Sequence, residues 1–236
     1  VVENFRAPVK KRLGLDYGQL REGNPRIILA SISGFGQDGP YCDRPGVDQI
    51  VQGMSGLSSV TGEPGRGPVR TGIAISDTSA GMFLGQGILL ALLHRERTGQ
   101  GQWVYTSLIE GMLNKLDFQG ARYTVSGEVP RQEGNAHPTQ VPMGTYEASD
   151  GQVNICASTE RMWSGFCEAV EGQQLLVHPD YCDARLRLSN RRALDAGCRV
   201  AGATVHHGPI EVPGPAYIAI AQDPQGAWFA VVGQEK

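Results

Sequence analysis

The foremost reactive side chain in this sequence is Asp77. It stands in PVRTGIAISDTSAGMFLGQGILLALLHRE (68–96), behind a short hydrophobic alternation and ahead of the apolar run Met82–Leu93. The alternation predicts an extended approach, Thr78–Gly81 a turn, and the apolar run a buried helix. A carboxylate held at such a junction can act as base or nucleophile. The bland alternative is that Asp77 or Thr78 caps the helix by accepting hydrogen bonds from first-turn amides. Spacing alone leaves both open.

Other reactive residue types are present without a pattern. His206 and His207 are adjacent, so on a strand they face opposite sides, and His94, His137 and His178 are isolated. No metal-ligand spacing, nucleophile elbow or phosphate loop is present. The five cysteines form no CxxC, and an odd count fits reduced thiols of a cytoplasmic protein better than a disulfide framework. Arg6, Lys10, Lys11 and Arg12 form a basic cluster that serves either as a solvated helix face or as a phosphate reader.

The elements that would position these groups alternate between strand and helix. Val1–Phe5 reads as a strand end, Val9–Leu13 and Tyr17–Glu22 as short helices, and Arg26–Ser33 as a compact strand. The loop GFGQDGPY (34–41) follows that strand, where α/β folds place ligand loops, although its glycine spacing is not a dinucleotide fingerprint. Asp48–Leu57 and Leu108–Tyr123 read as helices and Trp103–Thr106 as a strand. Residues 143–158 read as a hairpin turning at Ser149–Gly151, Thr159–Val170 as a helix, and the polar stretch 178–197 as a surface excursion. Beyond about residue 197 the composition changes, and a strand, a loop and two strands around Asp223–Gly226 are expected.

The fold class expected is α/β, with a division into 1–125 (an incomplete large domain), 126–197 (linker and small-domain part) and 198–236 (β-rich tail of different origin). A net charge of −3 without a basic stripe argues against nucleic acid and anionic membrane surfaces. The start, VVENFRAPVKKR, has no targeting pattern, and the apolar run Met82–Leu93 is too short to span a bilayer.

Several blocks resemble the family III CoA-transferases (the CaiB/BaiF group, which includes formyl-CoA transferase). They are VENF (2–5), RLGL (12–15), NPRIILASISGFGQDGP (24–40), SGLSSVTGE (55–63), ISDTSAG (75–81) and RTGQGQWVYTSLIEGML (97–113). GNAHPT (134–139), the stretch Tyr146–Ile155, HPDY (178–181) and NRRAL (190–194) continue the likeness in the same order. The resemblance implies a partial doubly wound domain with a smaller α+β portion, and interlocked homodimers. It implies an acyl-CoA:carboxylate CoA-transferase in which Asp77 is the nucleophile and passes through an aspartyl-CoA thioester. Coenzyme A thioester enters as substrate, a small carboxylic acid is the other partner, and no permanent cofactor or metal is expected. Asn4 and Phe5 would lie near the adenine end of CoA and Arg12 near its phosphates. Ser33, Gly34, Phe35 and Gln37 would line the same site, with the loop at 134–142 in the surrounding shell.

Related α-methylacyl-CoA racemases carry a His-Asp pair where this chain has Val47-Asp48, and valine transfers no proton. A racemase-like enzyme and an inactive CoA-binding or structural fragment remain the alternatives. Relative to the family, the chain starts downstream of the first strand–helix region and changes character after NRRALDA, as a truncated or joined reading frame would. The tail, with DPQGAWF (223–229), resembles the end of a glyoxalase/bleomycin-resistance-like domain and is assigned no activity.

Overall fold

A computed structural model describes residues 1–147 and 152–200, together with the backbone of three later strands, 210–212, 216–222 and 228–234. It divides into two units, Val1–Gly134 and Asn135–Lys236.

The first unit runs β1 (Val2–Glu3), α1 (Ala7–Arg12), α2 (Tyr17–Gly23), β2 (Leu29–Ser33), α3 (Asp48–Met54), α4 (Leu57–Val60), α5 (Ile75–Thr98), β3 (Trp103–Ser107), α6 (Leu108–Lys115) and α7 (Asp117–Ser126). The sheet order is β1-β2-β3 and both pairings are parallel, with Val2 opposite Ala30 and Leu29 opposite Trp103. Parallel neighbours need crossover connections, and the helices supply them. This is an α/β fold. The middle strand, LASIS, is almost wholly buried, as expected of a parallel strand covered on its faces. It begins at Leu29 rather than Arg26, because Asn24 forms a turn in which its side chain accepts the Arg26 amide and its carbonyl the Ile27 amide.

Val51, Ala80, Leu108 and Met112 form the core of this unit, with Ile32, Phe35, Leu57, Ile75 and Ile109 against it. Helices α5 and α6 meet closely because Gly111 has no side chain: a Cβ there would lie 3.3 Å from the Ala80 amide nitrogen. Helix α6 opens on a side-chain N-cap. Ser107 Oγ accepts from the Glu110 amide and donates to the Glu110 carboxylate. The helix expected over 108–123 is two helices, since Asp117 takes a positive φ of 48° between them. The helix expected over 48–57 is likewise interrupted, at Gly56 with φ 89°.

Helix α5 departs most from expectation. It starts at Ile75, so neither an extended approach reaching Ser76 nor a turn at 78–81 exists. Only one stripe is buried, formed by Ser76, Ser79, Ala80, Leu84 and Ala91, while Met82, Leu89, Leu90 and Leu93 are exposed. Among the described residues it is the one helix long and apolar enough to cross a membrane by length and composition, which the apolar run alone did not suggest. Its small buried residues pack on α6 and the sheet, and that contact covers only this stripe.

The second unit contains the expected hairpin, β4 (Met143–Glu147) antiparallel to β5 (Gln152–Cys156), whose turn lies outside the described residues. Helix α8 (Glu160–Ala169) is capped by Thr159, and a 3₁₀ turn (Gln173–Val177) leads to α9 (Ala184–Ser189) and α10 (Arg191–Val200). Val141, Trp163, Cys167 and Leu194 form its core. Residues 178–197 are therefore not a surface excursion. Arg187 is fully buried, its guanidinium 4.8 Å from the Trp163 ring and bonded to both Glu160 oxygens and the Tyr181 carbonyl. Helix α10 continues through Val200, where a strand was expected. Beyond it, β6 (Ile210–Val212), β7 (Ala216–Gln222) and β8 (Trp228–Gln234) form an antiparallel sheet in sequence order, with two strands flanking 223–227 as anticipated.

Candidate active site

Asp77 is the third residue of α5, and it does not cap the helix. The N-cap position is Ala74, which makes no side-chain cap bond, and Thr78 Oγ1 donates backwards to the Ala74 and Ile75 carbonyls. The cap comes from another helix. Asp48 of α3 places Oδ1 2.8 Å from Ser76 Oγ and 3.0 Å from the Ser76 amide, satisfying a first-turn N–H across 28 residues of sequence. Its Oδ2 accepts from Gln52 Nε2 at 2.8 Å and lies 3.5 Å from an Arg70 guanidinium nitrogen.

Gln52 is fully buried and completes the frame. Its carbonyl oxygen accepts from both the amide and the hydroxyl of Thr71, and its amide also donates to the Ile73 carbonyl. Two buried side chains of one α3 face, four residues apart, thus fix the approach to α5 and its first turn. The Asp48–Gln52 spacing was visible in the sequence, but nothing there showed what that face would meet.

The two acids diverge electrostatically. Burial by itself pushes the Asp48 carboxyl up, but the Ser76 amide and hydroxyl, Gln52 and Arg70 outweigh it and hold the pKa below the usual carboxylate value. Asp77 is exposed as a residue, yet its carboxyl is pushed up, first by the partial shielding of its neighbours and then by the Asp48 charge. The result is a hydrogen-bonded acid held below the usual carboxylate value behind an accessible, more basic one. Environments that drive two acids apart in this way suit a division of roles. Asp77 can attack an electrophile, while Asp48 holds the helix start and disfavours the charged form of its neighbour.

The remaining sequence-predicted residues fall into two groups. Ser33, Gly34, Phe35 and Gln37 form the turn after β2. Gly34 presses on Gly46 so closely that a Cβ on Gly34 would lie 2.4 Å from the Gly46 Cα. Phe35 packs against the same core as Ala80 of α5 and meets the Tyr41 ring edge-on. Ser33 Oγ donates to the Gly36 carbonyl and accepts from Gln37 Nε2. The Gln37 amide nitrogen is therefore spent on the loop's own shape. Asn4, Phe5 and Arg12 are exposed beyond β1 and at the end of α1. Val47, at the head of α3, is exposed and carries no titratable group. Of the shell expected over 134–142, Gly134 belongs to the first unit, donating to the Gly62 carbonyl, and 135–142 belong to the second. Among the described residues, no group of three His, Cys, Asp or Glu side chains is placed to hold a metal.

The model of CoA-transferase family III matches residues 1–207. The chain belongs to this family. It is 38% identical over 197 residues to an acetyl-CoA:oxalate CoA-transferase of Acetobacter aceti, covering 83% of this chain and 51% of that protein. It is 37% identical over 198 residues to a succinyl-CoA:mesaconate CoA-transferase of Haloarcula hispanica, covering 82% of this chain and 50% of that one. A solved CAIB/BAIF family protein from Brucella suis superposes with a TM-score of 0.70 at 35% identity, over 86% of this chain and 55% of its own. Rv3272 from M. tuberculosis gives a TM-score of 0.76 at 27% identity, over 86% and 53%. The family III chain thus spans about half the length of the relatives it matches.

Proposed function

We propose that this chain carries the nucleophile of an acyl-CoA:carboxylate CoA-transferase. The observation that carries the reading is an exposed Asp77 in the first turn of α5, backed by the buried Asp48–Gln52–Ser76 frame, within a family III chain. The Asp77 carboxylate attacks the acyl thioester carbonyl, CoA thiolate leaves, and a mixed anhydride forms. Thiolate then attacks the Asp77 carbonyl of that anhydride, releasing the donor acid as carboxylate and leaving an aspartyl-CoA thioester. The acceptor carboxylate attacks this thioester, and returning thiolate attacks the acceptor's carbonyl to give the new acyl-CoA and free Asp77. A carboxylate suits this cycle because its own carbonyl can become a thioester and be regenerated. Every acylated state removes the Asp77 charge and relieves its repulsion with Asp48, an electrostatic bias towards the intermediates.

Asn4, Phe5, Arg12 and the 33–37 turn are the CoA-facing group in this reading, the turn acting through its backbone. The acceptor is a small diacid, the class named in the oxalate and mesaconate relatives. Arg70, whose side chain is 43% exposed beside Asp48, offers a cation for its second carboxylate. The family resemblance supports a homodimer and the cysteine pattern a cytoplasmic location, and the exposed row Met82, Leu89, Leu90 and Leu93 is apolar surface that such an assembly would cover. Light scattering checks the assembly. Incubation with acyl-CoA followed by hydroxylamine and peptide mass analysis checks the chemistry, with a hydroxamate expected at Asp77. Absence of an adduct in folded, CoA-binding protein would sink the proposal. Val47 speaks against the racemase reading, and retention of Cα protium on acyl-CoA in deuterated solvent is the matching outcome.

A further inference from the structure

Lys10 is the one member of the basic cluster that does not face solvent. It is 7% exposed, whereas Lys11 and Arg12 beside it are exposed. A buried ammonium costs several kcal/mol unless it is paired and hydrogen-bonded, and an apolar residue of similar volume often serves stability as well or better. A lysine retained in such a place therefore calls for a reason in its partners.

Those partners come from three elements. Lys10 Nζ donates to Gln37 Oε1 in the turn after β2. It lies 3.8 Å from Glu3 Oε1 at the end of β1, and 4.0 Å from the centroid of the Trp103 ring on β3. Each contact leads further. Glu3 Oε2 accepts the Phe5 amide at 2.7 Å, fixing the chain just where Asn4 and Phe5 leave the sheet. Gln37 passes its other amide group to Ser33 Oγ, which donates to the Gly36 carbonyl. Trp103 is itself anchored through Nε1 to Ser31 Oγ at 2.9 Å. Glu3 Oε1 is buried and has no hydrogen bond, so the Lys10 charge is its compensation.

We infer that Lys10 is a positioning residue that locks the Asn4–Phe5 stretch and the Ser33–Gln37 turn into one geometry for a nucleotide thioester. It does so without touching the ligand. The inference rests on the CoA-transferase reading for the ligand's identity, but the clamp itself rests on the contacts above. A single buried charge, held over the Trp103 ring, joins the two stretches that the family resemblance assigns to one CoA site. Losing it frees both at once, and the bound ligand must then supply the ordering.

The test uses the full chain as wild type, Lys10→Met and Lys10→Arg, with CoA binding by calorimetry and amide hydrogen exchange resolved by residue. Lys10→Met should weaken CoA binding by about tenfold, in line with one lost charge-assisted hydrogen bond. Exchange should rise together at Phe5 and at the 34–37 amides while helix α5 keeps its protection. Lys10→Arg, which keeps charge and donors, should recover most of the affinity. A purely structural lysine would instead raise exchange across the whole unit and leave the affinity of the folded fraction unchanged. Wild-type affinity in Lys10→Met overturns the proposal. If the wild-type chain binds no CoA, the transferase reading fails, and exchange at Phe5 and 34–37 still decides the clamp: unchanged protection in Lys10→Met overturns it.

Discussion

Asp48 in the first unit and Arg187 in the second are both buried charges, and they do opposite work. Arg187 is enclosed, with its two terminal nitrogens bonded and its Nε buried without a hydrogen bond. Its guanidinium stacks on Trp163, meets both oxygens of Glu160 and donates to the Tyr181 carbonyl. Asp48 has both oxygens satisfied, by Ser76, Gln52 and Arg70, but its negative charge falls on an exposed neighbour. The first network is completed by its ion partner and stabilises a core. The second leaves one acid, Asp77, less comfortable as an anion than water would make it. A perturbed acid that remains accessible is a candidate for chemistry, whereas a buried charge enclosed by its partners serves the architecture.

The comparison breaks most sharply at Asp77. Asp77→Asn should lower transfer by roughly 10³-fold or more and abolish the hydroxylamine-trapped adduct. It should also leave the protein at least as stable at neutral pH in urea unfolding. The folded pKa of Asp77 is raised, so its ionised form weakens the fold at pH above its unfolded value, and removing the charge removes that penalty. Arg187→Ala should do the reverse, costing about 2–3 kcal/mol of second-unit stability in the same unfolding measurement while adduct formation in folded protein persists.

Asp48→Asn sharpens the contrast within the site. It should slow adduct formation on the order of tenfold, because the amide cannot accept at both of its former oxygen positions. The wild-type rate should fall as pH drops through the raised Asp77 pKa, and in Asp48→Asn that limb should move to lower pH. A limb that stays in place would remove Asp48 from the electrostatics of Asp77. Stability has the opposite sign at Asp48. Its folded pKa is lowered, so its contribution is present above the unfolded carboxylate pKa and is lost as pH falls through the folded one. Arg70→Met should raise the KM for a diacid several-fold more than for a monoacid, about the effect of one surface-accessible charge contact.

The smallest effect concerns Cys167, whose thiol is pushed up to about 11 by burial, with Arg187 opposing. Alkylation at pH 8 should mark the exposed Cys156 and Cys182 and reach Cys167 only after unfolding.

Several of these relations were legible before any coordinates. Alternating strand and helix patterns gave the α/β class, and the block around ISDTSAG singled out Asp77. The β4–β5 hairpin also follows from spacings of a few residues. The misreadings share one cause. The alternation before Asp77 suggested a strand, but Gln52 and Asp48 hold that stretch from α3 and start the helix at Ile75. The polar residues after His178 suggested a surface, but Arg187 finds Trp163 and Glu160 and goes inside.

By itself, then, the sequence determined the fold class, the family and which carboxylate stands at the start of the long helix. Those depend on local pattern and ordered motif blocks. Only the tertiary structure decided that Asp77 is not the cap, that Asp48 is, and that one lysine of a basic cluster turns inward to Glu3, Gln37 and Trp103. A buried polar group must find its partners wherever the packed elements bring them. Those partners lie 28 residues away for Asp48 and Ser76 and 27 for Lys10 and Gln37, beyond any periodicity a linear reading can register.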